Sequence, residues 1–223
     1  LDMSLYLRVA PELYLKRLLV GGMEKVFELN RNFRNEGLST RHNPEFTMLE
    51  FYAAYASYED LMELTEEMLC GLVEKLKGGQ SKFEYQGKTY DFGHISKTPL
   101  KEAILDLNPE IDEKELKELP QARALAERLE IPFEKSFGLG KIQVEIFEKM
   151  VEPRLKGPIF ITGYPAEVSP LARRNDEDPF YVDCCNGIDD DGYGFIVCDD
   201  WNCDGSIGDV ALSNTHLRAN ETR

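Results

Sequence analysis

The chain has 223 residues and a formal net charge of −15 at pH 7. This length can bury a full core and indicates one domain, or one domain with an appendage. The acidic balance argues against a protein that coats nucleic acid, because such a protein needs a basic face. No apolar run approaches the length of a membrane span, and no signal peptide opens the sequence. Residue 1 is Leu rather than Met, so we expect the numbering to begin inside a longer protein.

The first predicted elements are a short helix and a long antiparallel hairpin. Residues 11–20 begin with Pro and are followed by a Gly pair, which is typical of a helix. KVFELNRNF and FTMLEFYAAY then alternate with period two on either side of a polar loop, which predicts paired strands. One strand face would mix large apolar with oppositely charged groups: Asn32, Arg34, Phe46, Met48, Glu50 and Tyr52. We interpret that face as the floor of a ligand site; the alternative is a solvated hairpin surface.

The remaining elements up to residue 179 are helices and short strands. Ser57 and Asp60 form a capping box that begins a long helix. Its predicted buried stripe consists of Leu61, Leu64, Met68, Leu69, Leu72, Val73 and Leu76. A strand pair around Gly87, a helix from Pro99, helices within 112–130 and 140–155, and the buried strand GPIFITGYP follow. Antiparallel strands interspersed with helices, without a βαβαβ rhythm, predict an α+β fold.

The composition changes near Pro179. Residues 1–179 contain 32 acidic and 24 basic residues and one cysteine, Cys70. Residues 180–223 contain nine acidic and two basic residues and four cysteines. We therefore predict two units, 1–179 and 180–223.

The hairpin and its neighbours resemble a known family. FRNEG followed by RHNPEFTMLEFYAAY looks like motif 2 of the class II aminoacyl-tRNA synthetases. YLRVAPELYLKRLLVGGMEKVFELNRNFRNEG, KSFGLGK and FITGYPAEVSPLARRNDEDP are similar, almost residue for residue, to bacterial lysyl-tRNA synthetase. The resemblance implies an antiparallel sheet flanked by helices, and a cytoplasmic lysine-tRNA ligase. Such a ligase activates lysine with ATP to lysyl-adenylate and then charges tRNA; the intact family uses Mg²⁺ and forms homodimers.

The resemblance also assigns roles to single residues. Arg34 matches the catalytic arginine, whose planar fork holds a carboxylate and a phosphate oxygen. The matched ATP-binding positions are Arg34, Glu36, His42, Asn43 and Phe46, and the matched lysine-binding positions are Glu12, Glu50 and Tyr52. Acids suit this substrate because a desolvated ammonium needs a paired charge. The alternatives are exposed loop residues for the nucleotide set and, for Glu12, an acid favoured by the helix dipole.

Several features of the family pattern are missing from the sequence. These are motif 1, the anticodon-binding OB-fold, the acidic strand pair that holds Mg²⁺ and lysine, and motif 3 with its arginine. We therefore expect a truncated or chimeric piece of such a ligase. Two other functions stay open: a paralogue that lysylates a protein, and a non-catalytic binding module whose tail holds Ca²⁺.

The tail, residues 180–223, resembles Cys- and Asp-rich calcium-binding repeats. Asp189, Asp191 and Asp199 would supply the oxygen ligands of a Ca²⁺ site. Tyr193 and Val197 depart from the repeat, since both stand where an Asp is expected. The alternatives are disulfides, with three connectivities among four cysteines, a zinc site, which adjacent cysteines suit poorly, and a disordered acidic tail.

Overall fold

The computed structural model describes residues 3–35, 43–170 and 172–182 with their side chains. Further along the chain it describes only the backbone of three short strands, β7 (Cys198–Asp199), β8 (Asn214–Thr215) and β9 (Leu217–Arg218). The helix and strand content confirms the predicted α+β class. Among the helices described, none has the length and apolar character needed to cross a membrane.

A helix and a hairpin form the first part of the fold. Helix α1 (Glu12–Val20) leads into the strands β1 (Lys25–Phe33) and β2 (Glu45–Ala53), which pair antiparallel along their whole length. Both the predicted helix and the predicted hairpin are confirmed. Leu15 and Leu19 of α1 are buried against Tyr52, so the helix lies on the face of the hairpin that carries the polar floor. At the sheet edge, β9 pairs antiparallel with β2.

Helix α2 (Tyr58–Leu76) covers the opposite face of the hairpin. The Ser57 hydroxyl accepts from the Asp60 amide and the Asp60 carboxylate accepts from the Ser57 amide, which is the predicted capping box. Leu61 packs with Phe51 and Ala53 of β2. The predicted stripe is partly wrong, because the helix turns Met62 and Thr65 inward and leaves three of the seven predicted residues exposed: Leu64, Leu72 and Leu76.

Two small sheets follow α2. The strands β3 (Lys82–Tyr85) and β4 (Lys88–Asp91) pair through a Gln86–Gly87 turn. Both turn residues have positive φ, 48° and 74°, as a tight two-residue hairpin turn requires. Strand β5 (Ser96–Pro99) was not predicted; it pairs in parallel with β6 (Ile159–Thr162). Ile95, Phe160 and Met62 pack together and join this sheet to α2.

The main core lies among the helices between β5 and β6. These are α3 (Leu100–Leu107), a 3-10 turn (Glu113–Leu116), α4 (Leu119–Arg128), α5 (Leu139–Met150) and a second 3-10 turn (Glu152–Arg154). Ile104, Ile142 and Ile146 are fully buried at its centre. The helix predicted over 140–155 is shorter than expected, because Pro153 lacks the amide that would continue it.

Candidate functional site

The strand register brings the predicted polar floor together on one face of the hairpin. Asn32 lies opposite Phe46, and Glu28 lies opposite Glu50. Because directly opposed residues of an antiparallel pair share a face, these side chains and their neighbours Met48 and Tyr52 line one surface. Phe46 and Glu50 are four residues apart on β2, which corresponds to about 13 Å along the strand. The floor is therefore long enough to hold a ligand with two recognition groups.

Glu50 and Tyr52 form a buried pair at one end of the floor. Their relative exposures are 0% and 1%. The Tyr52 hydroxyl donates a hydrogen bond of 2.6 Å to Glu50 Oε1, whereas Glu50 Oε2 has no hydrogen-bond partner among the described residues. Burial raises the pKa of Glu50, and the nearby carboxylate of Glu12 adds to that, while Tyr52, Lys16 and Arg34 oppose it. A buried carboxylate with one open oxygen is the group that a cationic ligand would satisfy.

Helix α1 adds a second acid and a lysine to the same end. Glu12 Oε1 lies 2.7 Å from Lys16 Nζ, one helical turn further along, and both side chains are mostly buried. Lys16 Nζ also lies 5.8 Å from the centroid of the Tyr52 ring. The anchoring of α1 by Leu15 and Leu19 against Tyr52 fixes this arrangement. Glu12 thus lies close enough to Glu50 for its charge to act on that carboxyl, and its predicted role in binding lysine stays a prediction.

Arg34 and Phe46 form the other end of the floor. The Arg34 guanidinium lies over the Phe46 ring, with its central carbon 5.3 Å from the ring centroid. Arg34 Nε donates to the Val9 carbonyl at 3.4 Å, and its backbone amide donates to the Pro44 carbonyl at 2.9 Å. These contacts hold the cation above the floor. Its positive charge there partly opposes the rise in the pKa of Glu50 that burial causes.

An ion pair that the sequence reading did not select completes the floor. Arg8 NH1 contacts Glu28 Oε1, and Arg8 Nε donates to the Arg31 carbonyl at 3.0 Å. The hydrogen bond from Arg8 is the main cause that holds the pKa of Glu28 below its usual range. The strand alternation already sets Glu28 opposite Glu50, and two opposed acids on one face are a signal that a cation has to lie nearby.

Asn32 occupies the middle of the floor. It is 1% exposed, and its Nδ2 donates to the Met48 sulfur at 3.5 Å, which is a weak contact. Its Oδ1 has no hydrogen-bond partner in the part of the chain that the structure describes. The floor thus contains a second buried acceptor that is open to a donor.

The structure does not bring every predicted site residue into this cluster. Asn43 is exposed, and Glu36 and His42 lie outside the described residues. The same holds for Asp189 and Asp191 of the tail, while Asp199 is described only as backbone in β7. Their predicted roles stay predictions.

The described residues form no cluster of ligands that could bind a metal ion. Mg²⁺, which the family resemblance implies, is held by oxygen ligands. Within residues 3–35, 43–170 and 172–182, no three side chains of His, Cys, Asp or Glu gather around one point that could hold an ion. The described residues do not fit a metal centre.

A cavity of about 260 Å³ lies elsewhere in the fold, beside β6. None of the predicted site residues lines it; its walls are Tyr58, Thr162, Gly163, Asn175, Asp178, Tyr181 and Val182. The floor carries the charged groups and the buried acceptors without partners among the described residues, so we place the candidate site there.

Comparison with known proteins assigns most of the chain, including the floor, to one family. The model of the family described as tRNA synthetases class II (D, K and N) matches residues 1–185. The chain is 63% identical over 184 residues to the lysine–tRNA ligase of Thioalkalivibrio sulfidiphilus, which covers 82% of this chain and 37% of that protein. The corresponding protein of Idiomarina loihiensis is 59% identical over 82% of the chain and 36% of its own length, and that of Teredinibacter turnerae 56% identical over 82% and 38%. The chain thus spans a little over a third of the length of these relatives.

Proposed function

Because the chain belongs to the tRNA synthetases class II (D, K and N), we propose that it carries the motif 2 part of a lysine-tRNA ligase. In the intact enzyme this part would help to activate lysine with ATP as lysyl-adenylate before transfer to tRNA. The relatives at 56–63% identity are named as lysine–tRNA ligases, which supports lysine over the other two amino acids of the family. From the family resemblance we further propose a cytoplasmic enzyme that uses tRNA as acceptor and works as a homodimer.

The observation that carries the proposal is the buried Glu50–Tyr52 pair with one open carboxylate oxygen. A lysine side chain that reaches this oxygen would place its ε-ammonium against a charge that is already desolvated. An uncharged side chain of similar length would leave Glu50 buried and unpaired, which costs a large fraction of the binding free energy. Glu12 supports the same reading, because it offers a carboxylate for the α-ammonium.

Arg34 would act at the carboxylate end of the lysine substrate, where the reaction takes place. In the activation step, an oxygen of the lysine carboxylate attacks the α-phosphorus of ATP. A new carbonyl C–O–P linkage forms, and the bond to pyrophosphate breaks. Arg34 would hold the carboxylate and the α-phosphate together and offset the charge that develops on the phosphate oxygens. Phe46 would offer a ring for the adenine, beside Asn43 and the loop residues Glu36 and His42.

The test is lysine-dependent exchange of pyrophosphate into ATP by the purified chain, with lysine binding measured in parallel by calorimetry. We expect Arg34→Ala to lower exchange at least 100-fold, because an interaction made in the transition state is lost. Arg17→Ala, an exposed arginine on α1, is the matched control and should leave exchange unchanged.

The two readouts separate binding from catalysis. Lysine binding without exchange would support the recognition site and would contradict activation by this chain alone. A folded chain that neither binds lysine nor exchanges pyrophosphate would overturn the proposal. Glu50→Gln should weaken lysine binding about 30-fold or more, because the desolvated carboxylate is lost. Glu45→Gln, on the opposite face of the same strand, should not.

A further inference from the structure

We propose that Lys16 is a specificity-determining residue of the lysine site. Its ammonium would balance the acids of the floor, so that the site prefers a ligand with one carboxylate and two ammonium groups over a diamine. The inference rests on the proposed function, since it concerns how the same site selects lysine. Nothing in the family resemblance assigned a role to this residue.

The position of Lys16 supports the inference. Its side chain is 16% exposed and lies between Glu12, at 2.7 Å, and the ring of Tyr52, at 5.8 Å. Tyr52 is bound to Glu50 through its hydroxyl, and the charge of Lys16 is one of the smaller influences that oppose the effect of burial on the pKa of Glu50. Lys16 therefore lies among the groups proposed to bind the two ammonium groups of lysine, although it has the same charge as they have.

Among the described residues, the charges on this side of the hairpin balance only when Lys16 is included. The acids are Glu12, Glu28 and Glu50, and the bases are Arg8, Lys16 and Arg34. With Lys16, the charges of these six described groups sum to zero; without it, the remaining five carry one net negative charge. A neutral site gains less from a ligand of charge +2 than a negative site does.

Two probes that differ by one group expose this effect. Lysine carries two ammonium groups and a carboxylate, and 1,5-diaminopentane is the same molecule without the carboxylate. The Lys16 ammonium repels both ammonium groups of either probe, but it attracts the carboxylate that only lysine has. The preference for lysine should therefore contain one attractive charge–charge interaction with Lys16, which in a partly hydrated site amounts to roughly tenfold in affinity.

The experiment measures the affinities of the full chain for lysine and for 1,5-diaminopentane by calorimetry at pH 7.5. In Lys16→Met, which keeps the length of the side chain over Tyr52, the ratio of the two affinities should fall about tenfold. Lys16→Arg keeps the charge and should keep the ratio. Lys25→Met, an exposed lysine at the start of β1, is the matched control and should match the wild type.

Each outcome decides the inference. An equal loss of affinity for both probes in Lys16→Met would indicate a purely structural role and would overturn it, while the lysine site itself would stand. A wild-type chain that binds no lysine would overturn both the inference and the proposed function. Lys16→Gln replaces Lys16→Met if circular dichroism shows that the Met variant does not fold, and the same ratio then decides.

Discussion

Asn108 in the helical core and Glu50 on the hairpin floor are both buried polar side chains, but their hydrogen bonding differs. In the helical region Asn108 is fully buried, and both ends of its amide are used: Nδ2 donates to the Ile104 carbonyl at 2.8 Å and Oδ1 accepts from Arg154 at 2.7 Å. On the floor Glu50 is equally buried, yet one carboxylate oxygen has no partner among the described residues. A buried polar group with a hydrogen-bond partner stabilises a fold. A buried polar group without one costs stability, and a ligand that supplies the partner removes that cost.

The apolar side chains show the same contrast. Ile104 and Ile142 are 0% exposed in the helical core. On the hairpin, Phe27 and Leu29 are 73% and 64% exposed, because α2 covers β2 but leaves this part of β1 open. We infer that most of the stability of the described fold comes from the helical core, and that the floor contributes recognition at some cost in stability.

The largest expected effect tests where the stability lies. Ile104→Ala should lower the free energy of unfolding by about 3 kcal/mol, because it removes buried methyl groups and leaves a cavity. Leu29→Ala on the exposed face of β1 should change it by less than about 0.5 kcal/mol. Urea denaturation of both variants checks this, and similar losses for the two would contradict the contrast between core and hairpin.

Two glycine substitutions, on different helices, test how tightly the helical region is packed. A Cβ on Gly140 would lie 2.5 Å from the Pro165 Cβ, so Gly140→Ala should cost about 2 kcal/mol. Gly71 in α2 has no atom within 4 Å of such a Cβ, and Gly71→Ala should instead stabilise by about 0.5–1 kcal/mol through helix propensity. Thermal unfolding of both variants measures the opposite signs; equal signs would show that α5 can move away from Pro165.

Replacing the buried amides compares the two regions directly. Asn108→Leu should cost about 1.5 kcal/mol, because it removes two buried side-chain hydrogen bonds, one to the Ile104 carbonyl and one from Arg154. Asn32→Leu should be close to neutral, since among the described residues the Asn32 side chain makes only the weak sulfur contact and its Oδ1 has no partner. Urea midpoints at constant pH give both values. A larger loss for Asn32→Leu would mean that the floor is held together by its polar groups.

The smallest expected effect is a difference in pH dependence between two glutamates. Burial raises the pKa of Glu50, so the folded state keeps its proton to a higher pH than the unfolded state does. Its contribution to stability is present below the ordinary value of 4.5 and is lost as the pH rises through the raised value. Glu50→Gln should therefore gain stability over the wild type as the pH rises, in unfolding measured from pH 3 to 8.

Glu66 should show the reverse behaviour. The backbone amide of Ile95 and the ring of His94, 2.6 Å away, hold its pKa below 4.5, against a smaller effect of burial. Its contribution is therefore present above 4.5 and lost as the pH falls through the lowered value. Glu66→Gln should be less stable than the wild type above pH 5, and the difference should close in acid. Parallel pH profiles for the two variants would contradict the contrast.

Short-range patterns in the sequence were enough to predict much of this fold. The Pro and Gly signals bounded α1, the capping box set the start of α2, and the period-two alternation placed Glu50, Tyr52, Asn32 and Phe46 on one face. These features depend on neighbours a few residues away, where backbone geometry and capping dominate. The resemblance to a family then assigned binding roles to three of these residues, Phe46, Glu50 and Tyr52.

Only the tertiary structure decided how distant segments meet. The parallel pairing of β5 with β6 joins residues about 60 positions apart, and the buried side of α2 depends on the hairpin and on Phe160 rather than on its own periodicity. The packing of the elements also decided which cations lie on the floor. Arg8 pairs with Glu28, and Lys16 lies over the ring of Tyr52. Such contacts between distant segments are selected by packing and burial across the whole chain, which local patterns in the sequence do not determine.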